Sequence, residues 1–146
     1  MKPRVRLARP TAAPSTVAAY RAYLRRAQHP SQAAHFIRLR ASGELVGVVN
    51  VSEIVRGAFR SAYLGYYAFT PHENQGLMTK GLRLAISDAF RRLRLHRLEA
   101  DVQPGNQASL RLIRRLGFRR EGYSPRYLKI AGRWRDHERW ALLADR

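Results

Sequence analysis

From Gly76 to Arg94 the apolar side chains Leu82, Ala85, Ile86, Ala89, Phe90 and Leu93 recur at three- and four-residue spacing. That period places them along one stripe of an α-helix, and such a stripe has to be buried against another element. The preceding sequence supplies that element. The runs His35–Ala41, Leu45–Val55 and Phe59–Phe69 are rich in β-branched and aromatic residues, and Ser42-Gly43-Glu44 and Arg56-Gly57 between them read as hairpin turns. A helix following three hairpin-linked strands packs on the face of a sheet.

The same reasoning extends to both ends. Val5 and Leu7 alternate as a short strand, Thr11–Pro14 is a helix start for a segment over Ser15–Gln28, and His29-Pro30 stops it. After the amphipathic helix, Arg97–Val102 reads as a strand. Asn106 then caps a helix buried through Leu112, Ile113 and Leu116, and Gly117 ends it. A final strand pair hinges near Ala131-Gly132. The predicted order is β-α-β-β-β-α-β-α-β-β, an α/β (α+β) fold with a mixed sheet and helices on its faces. No linker or repeat interrupts it, so residues 1–146 read as a single domain.

Composition limits the chemistry. Cysteine is absent from the 146 residues, which excludes disulfides, a thiolate nucleophile and Cys-ligated metal. His72, His96 and His137 lack metal-helix spacing, so no metal is expected. No run of 18 apolar residues occurs, so no membrane association is expected and the chain reads as cytoplasmic. The formal charge is +18, enough to attract polyanions in a salt-sensitive way and to admit ribosome or RNA contact. Arginine supplies nearly all of it, spread through predicted helices and strands alike, as a solvated basic surface would be.

Two stretches carry candidate chemistry. Glu73-Asn74-Gln75-Gly76-Leu77-Met78-Thr79 lies between a strand and a helix start, where backbone amides and the helix's positive end suit a phosphate, and Gly76 lets an anion approach closely. It matches neither a Walker loop nor a Rossmann fingerprint. The second stretch is Asn106-Gln107-Ala108-Ser109, with Leu116-Gly117-Phe118 at the far end of the same helix.

Taken with His96-Arg97-Leu98-Glu99-Ala100, Arg119-Arg120-Glu121-Gly122-Tyr123, Gly132-Arg133-Trp134-Arg135-Asp136-His137 and the upstream Val55-Arg56-Gly57 and Tyr63-Leu64-Gly65-Tyr66, these stretches resemble the GNAT acetyltransferases, specifically the Rim-type ribosomal-protein alanine N-acetyltransferases. The resemblance covers about the last two-thirds of the chain. It implies a mostly antiparallel sheet with helices on both faces, split between the fourth and fifth strands, and acetyl-CoA as cofactor. By that likeness Gln75, Gly76, Leu77, Met78 and Thr79 bind pyrophosphate, Ala68, Phe69 and Thr70 pair with pantetheine, and Asn106 and Ser109 border the thioester. Arg111, Arg114 and Arg115 are candidates for the nucleotide's 3′-phosphate. The chain departs from the family pattern at Glu73, at Met78 and at Ile113, which stands where many members place a tyrosine.

Under that resemblance the expected reaction is direct attack of an amine on the thioester. An α-amine titrates near 8 and lysine near 10.4, so a protein N-terminus costs roughly 3 kcal/mol less to deprotonate than a lysine. Backbone N–H groups of the split strand would hold the oxyanion. Glu99 is the candidate base through water, or else a strand carboxylate paired with arginine. Asn106 and Ser109 position the reactants, and Tyr127 or Trp134 walls the acceptor cleft. The expected partners are acetyl-CoA and an amine acceptor, a protein N-terminus or a small molecule, with the chain a monomer or homodimer. The reading from another class is a non-catalytic GNAT-like protein that binds RNA, the ribosome or an acyl-CoA.

Overall fold

Alternating apolar and polar residues define the sheet before any helix is added. The computed structural model describes residues 3–8, 21, 25, 29–69 and 76–145. Its strands are β1 (Val5–Ala8), β2 (Ala33–Leu39), β3 (Leu45–Val55), β4 (Ser61–Ala68), β5 (Arg97–Val102), β6 (Arg119–Ile130) and β7 (Arg133–Leu143). Helix α1 (Leu77–Arg91) joins β4 to β5 and α2 (Gln107–Arg115) joins β5 to β6. Of the helix expected over Ser15–Gln28 only Arg21 and Arg25 are among the described residues, and both are helical. Among those residues no helix is long and apolar enough to cross a membrane.

One sheet runs in the order β1-β2-β3-β4-β5-β7-β6, antiparallel throughout except where β4 meets β5. Its local chemistry matches the expected turns, with small shifts. The β2–β3 turn begins at Arg40 rather than after Ala41, because Leu39 N donates to Glu44 O at 2.9 Å and closes the hairpin earlier. The β6–β7 hairpin turns through Ala131 (φ 49°) and Gly132 (φ 81°), two consecutive left-handed residues that match the twist of the flanking strands.

Helix α1 carries its stripe as the spacing predicts: Leu82, Ala85, Ile86 and Ala89 are buried. Each large side chain in such a stripe contributes roughly 1.5–3 kcal/mol. The helix sits so close to the sheet that a Cβ on Gly81 would lie 2.7 Å from Ile37, and one on Gly47 would lie 2.5 Å from Met78 Sδ. Ile37 faces Gly47, Gly47 faces Ala68, and Val49 faces Tyr66 across neighbouring strands, so these residues share the sheet face that α1 covers. Tyr66 touches Ser109 of α2, and Arg83 of α1 donates to Arg115 O of α2 at 3.2 Å. Both described helices therefore lie on this one face, and they enclose a single apolar cluster that includes Leu64, Leu98, Ala100, Ile113 and Trp140.

Candidate functional site

The sheet opens where β4 and β5 run side by side. Their parallel register pairs Ser61 with Arg97, Ala62 with Leu98 and Tyr63 with Glu99, and goes no further. Strand β4 continues to Ala68 and β5 to Val102, so five and three residues respectively extend past the last pair. Phe69 N donates to Val46 O at 2.8 Å. The peptide groups of Tyr67 and Phe69 therefore face β3, while those of Leu64, Tyr66 and Ala68, alternating with them, face the gap.

At the wide end of the gap α1 begins. Gly76 takes φ 72°, and no side chain caps the helix. The amides of Leu77, Met78 and Thr79 precede the first intrahelical bond, Lys80 N to Gly76 O, and meet no acceptor among the described residues. The side chains of Leu77 and Met78 are buried in the core, so only their backbone can face a ligand. Of the other expected cofactor residues, Ala68 ends β4 at this point and Phe69 follows it, and Thr70 and Gln75 lie outside the described residues, as does Glu73.

The start of α2 is built differently. Asn106 Oδ1 accepts from Ser109 N at 3.1 Å, capping the helix, and Ser109 Oγ lies 2.5 Å from the Tyr66 hydroxyl. Tyr66 thus ties β4 to α2 across the gap, and burial raises its pKa despite the bond to Ser109. The motif Tyr63-Leu64-Gly65-Tyr66 contained this residue, but only the fold shows its partner. Arg114 lies 5.3 Å over the Trp140 ring, and Arg111, Arg114 and Arg115 are all exposed.

The opposite face of the gap is polar. Tyr63 and Glu99 stand side by side there. Glu99 Oε1 is 2.9 Å from Arg97 Nε, the arginine pairing of one of the two expected readings, and Arg97 also grips Glu121 through both terminal nitrogens. A hydrogen bond with Tyr127 pushes the Tyr63 hydroxyl up to about 12. Asp101, which the sequence reading did not single out, lies two residues beyond Glu99 on the same face. Its polar neighbours alternate with the buried Leu98, Ala100 and Val102 in a pattern legible in the sequence.

Tyr127 and Trp134, the two candidate walls of the acceptor cleft, stand on different faces of the sheet. Tyr127 lies beside His137, with ring centroids 6.3 Å apart. Trp134 shares the other face of β7 with Asp136. There, with Tyr123 and the loop Gln103–Asn106, it lines a cleft of about 670 Å3. The register shift between Ser124 and Leu128 decides which side chain goes where.

The family described as acetyltransferase (GNAT) domain matches residues 2–119. The chain belongs to the GNAT acetyltransferase family. A probable N-acetyltransferase of Bacillus subtilis is 41% identical to this GNAT chain over 110 residues, 75% of this chain and 61% of that protein. The ribosomal protein uS5-alanine N-acetyltransferase of Escherichia coli is 44% identical over 99 residues, 68% of this chain and 51% of its own length. RimJ of Mycobacterium smegmatis, solved in complex with CoA-disulfide, superposes with a TM-score of 0.80 at 34% identity, covering 87% of this chain and 60% of that one. The GNAT chain thus spans about half to three-fifths of the length of these relatives.

Proposed function

We propose that this chain, as one GNAT domain over 1–146, is an acetyl-CoA-dependent N-acetyltransferase acting in the cytoplasm on a protein N-terminal α-amine of the ribosomal-protein-alanine type. The observation that carries the reading is the opening between β4 and β5, which leads directly to the uncapped start of α1. Kinship with a uS5-alanine acetyltransferase supports the choice of acceptor.

The residues fit the cofactor on two counts. The amides of Leu77, Met78 and Thr79 have no acceptor among the described residues, and a Cβ on Gly76 would meet nothing within 4 Å, so an anion has both donors and room. The Leu64, Tyr66 and Ala68 peptide groups offer the gap a strand edge to which an extended chain can add. When bound, acetyl-CoA supplies the thioester. The protein's part is placement: the β4 edge amides orient and polarise the acyl oxygen, and Ser109 and Tyr66 hold the two sides of the gap at a fixed spacing.

Incubation with acetyl-CoA and a panel of peptides bearing free N-termini, blocked N-termini and lysines tests the reading. Acetylation of the free α-amines is the expected result. Release of no CoA with any acceptor at saturating cofactor, alongside tight salt-dependent RNA binding, would transfer support to the non-catalytic alternative.

A further inference from the structure

On the face away from the helices, Tyr63 and Glu99 are the last residues that β4 and β5 hold side by side. The next residues on that face are Gly65 on β4 and Asp101 on β5, the first pair to stand on opposite sides of the opening. Gly65 contributes no side chain, and a Cβ there would meet nothing within 4 Å. Asp101 Oδ1 is buried without a hydrogen-bond partner among the described residues. A carboxylate oxygen withdrawn from water and left without a donor is uncommon and costly, and it calls for an explanation.

We propose that Asp101 receives the acceptor's ammonium group and takes its proton, the amine entering through the space left by Gly65 from the face opposite the helices. This rests on the acetyltransferase reading and deepens it. Glu99 is unsuited to the task because Arg97 already holds its carboxylate at 2.9 Å. Asp101 Oδ1 has no such bond among the described residues. Burial, reinforced by the negative charge of Glu99, pushes its pKa up to about 6, against the opposing pull of His137 and Arg139. It is therefore still mostly ionised at neutral pH, yet it is a stronger base than an ordinary carboxylate. Proton transfer from an α-ammonium is uphill by about a hundredfold rather than the roughly ten-thousandfold faced by an unperturbed aspartate.

The step balances. One proton passes from the ammonium to the Asp101 carboxylate, which becomes the neutral acid. The freed nitrogen lone pair forms the N–C bond to the acyl carbon, the C–S bond breaks, and its electron pair leaves on the CoA sulfur. That sulfur ends with the second nitrogen-borne proton, and Asp101 returns its own to solvent.

The groups facing Asp101 are Arg97 and Glu99 on β5, Tyr63 on β4, Glu121 and Tyr127 on β6, and His137 and Arg139 on β7. The test is the pH profile of kcat/KM for a free-N-terminus peptide with wild type and Asp101→Asn, read beside the thermal shift given by desulfo-CoA. Asp101→Asn is expected to keep the desulfo-CoA shift, lose about 10²–10⁴-fold in kcat/KM at pH 7 and lose the acidic limb near pH 6. Gly65→Val, which fills the gap and leaves the Asp101 carboxylate in place, is expected to raise the acceptor KM more than about tenfold. An active wild type whose Asp101→Asn variant stays within about twofold with an unchanged acidic limb overturns the role of Asp101 and leaves the acetyltransferase reading standing. A wild type that binds desulfo-CoA and acetylates no peptide overturns both.

Discussion

The two described helices begin in opposite ways. Helix α1 starts from a left-handed glycine with no side-chain cap, and its first amides are left to whatever lies in front of them. Helix α2 starts from Asn106, whose side chain already accepts from Ser109 N. A helix start can use its free donors to hold itself together or leave them free for a ligand, and this molecule has one capped start and one uncapped start. In the sequence both starts look like cofactor contacts. In the structure the first amides of α1 meet no acceptor among the described residues, while the start of α2 is tied to β4 through Ser109 and Tyr66.

The largest expected effect breaks the α1 side of this contrast. Gly76→Asp brings a negative charge and a left-handed non-glycine backbone to the helix start. It should abolish the stabilisation by acetyl-CoA, which for wild type at a hundredfold excess over Kd is about 2.7 kcal/mol; differential scanning calorimetry with and without ligand reads both. On the α2 side, Asn106→Ala should lower stability by about 1 kcal/mol in urea titrations while the ligand-induced increment survives. If that increment disappears instead, the two starts are not divided as described. Ser109→Ala removes one neutral hydrogen bond to a half-buried tyrosine. A loss of about 1 kcal/mol or less is expected, with Kd for acetyl-CoA changed less than about threefold.

The smallest effect has a sign set by pH. Asp101 has a raised folded-state pKa, so its contribution to stability is fully present below its unfolded value of 3.8 and is lost as pH rises through about 6. Asp101→Asn should therefore be more stable than wild type at pH 8, by about 1 kcal/mol once solvent screening of this half-buried group is allowed for, and no more stable at pH 4. Thermal melts at the two pH values check it. A variant less stable than wild type at pH 8 would mean the carboxylate has a donor.

Local pattern made much of this architecture legible. The stripe Leu82, Ala85, Ile86, Ala89 marked α1, the alternation Leu98, Ala100, Val102 marked β5, and Ala131-Gly132 marked the last hairpin, because each depends only on near neighbours in the chain. The site itself depends on distant pairings. Tyr66 meets Ser109 from 43 residues away, and Asp101 gains its meaning only because β4 and β5 stop pairing two residues earlier on that face. Which of Tyr127 and Trp134 faces which side was not legible, because strand parity can be counted only until a bulge resets it, and β6 carries such a shift between Ser124 and Leu128.

Amide chemical shifts recorded during a CoA titration test the division between the two helix starts most directly. The expected result is large downfield movement of the Gly76, Leu77, Met78 and Thr79 amides, with Ser109 N unmoved in its bond to Asn106. Large movement at Ser109 with residues 76–79 unmoved would contradict the account.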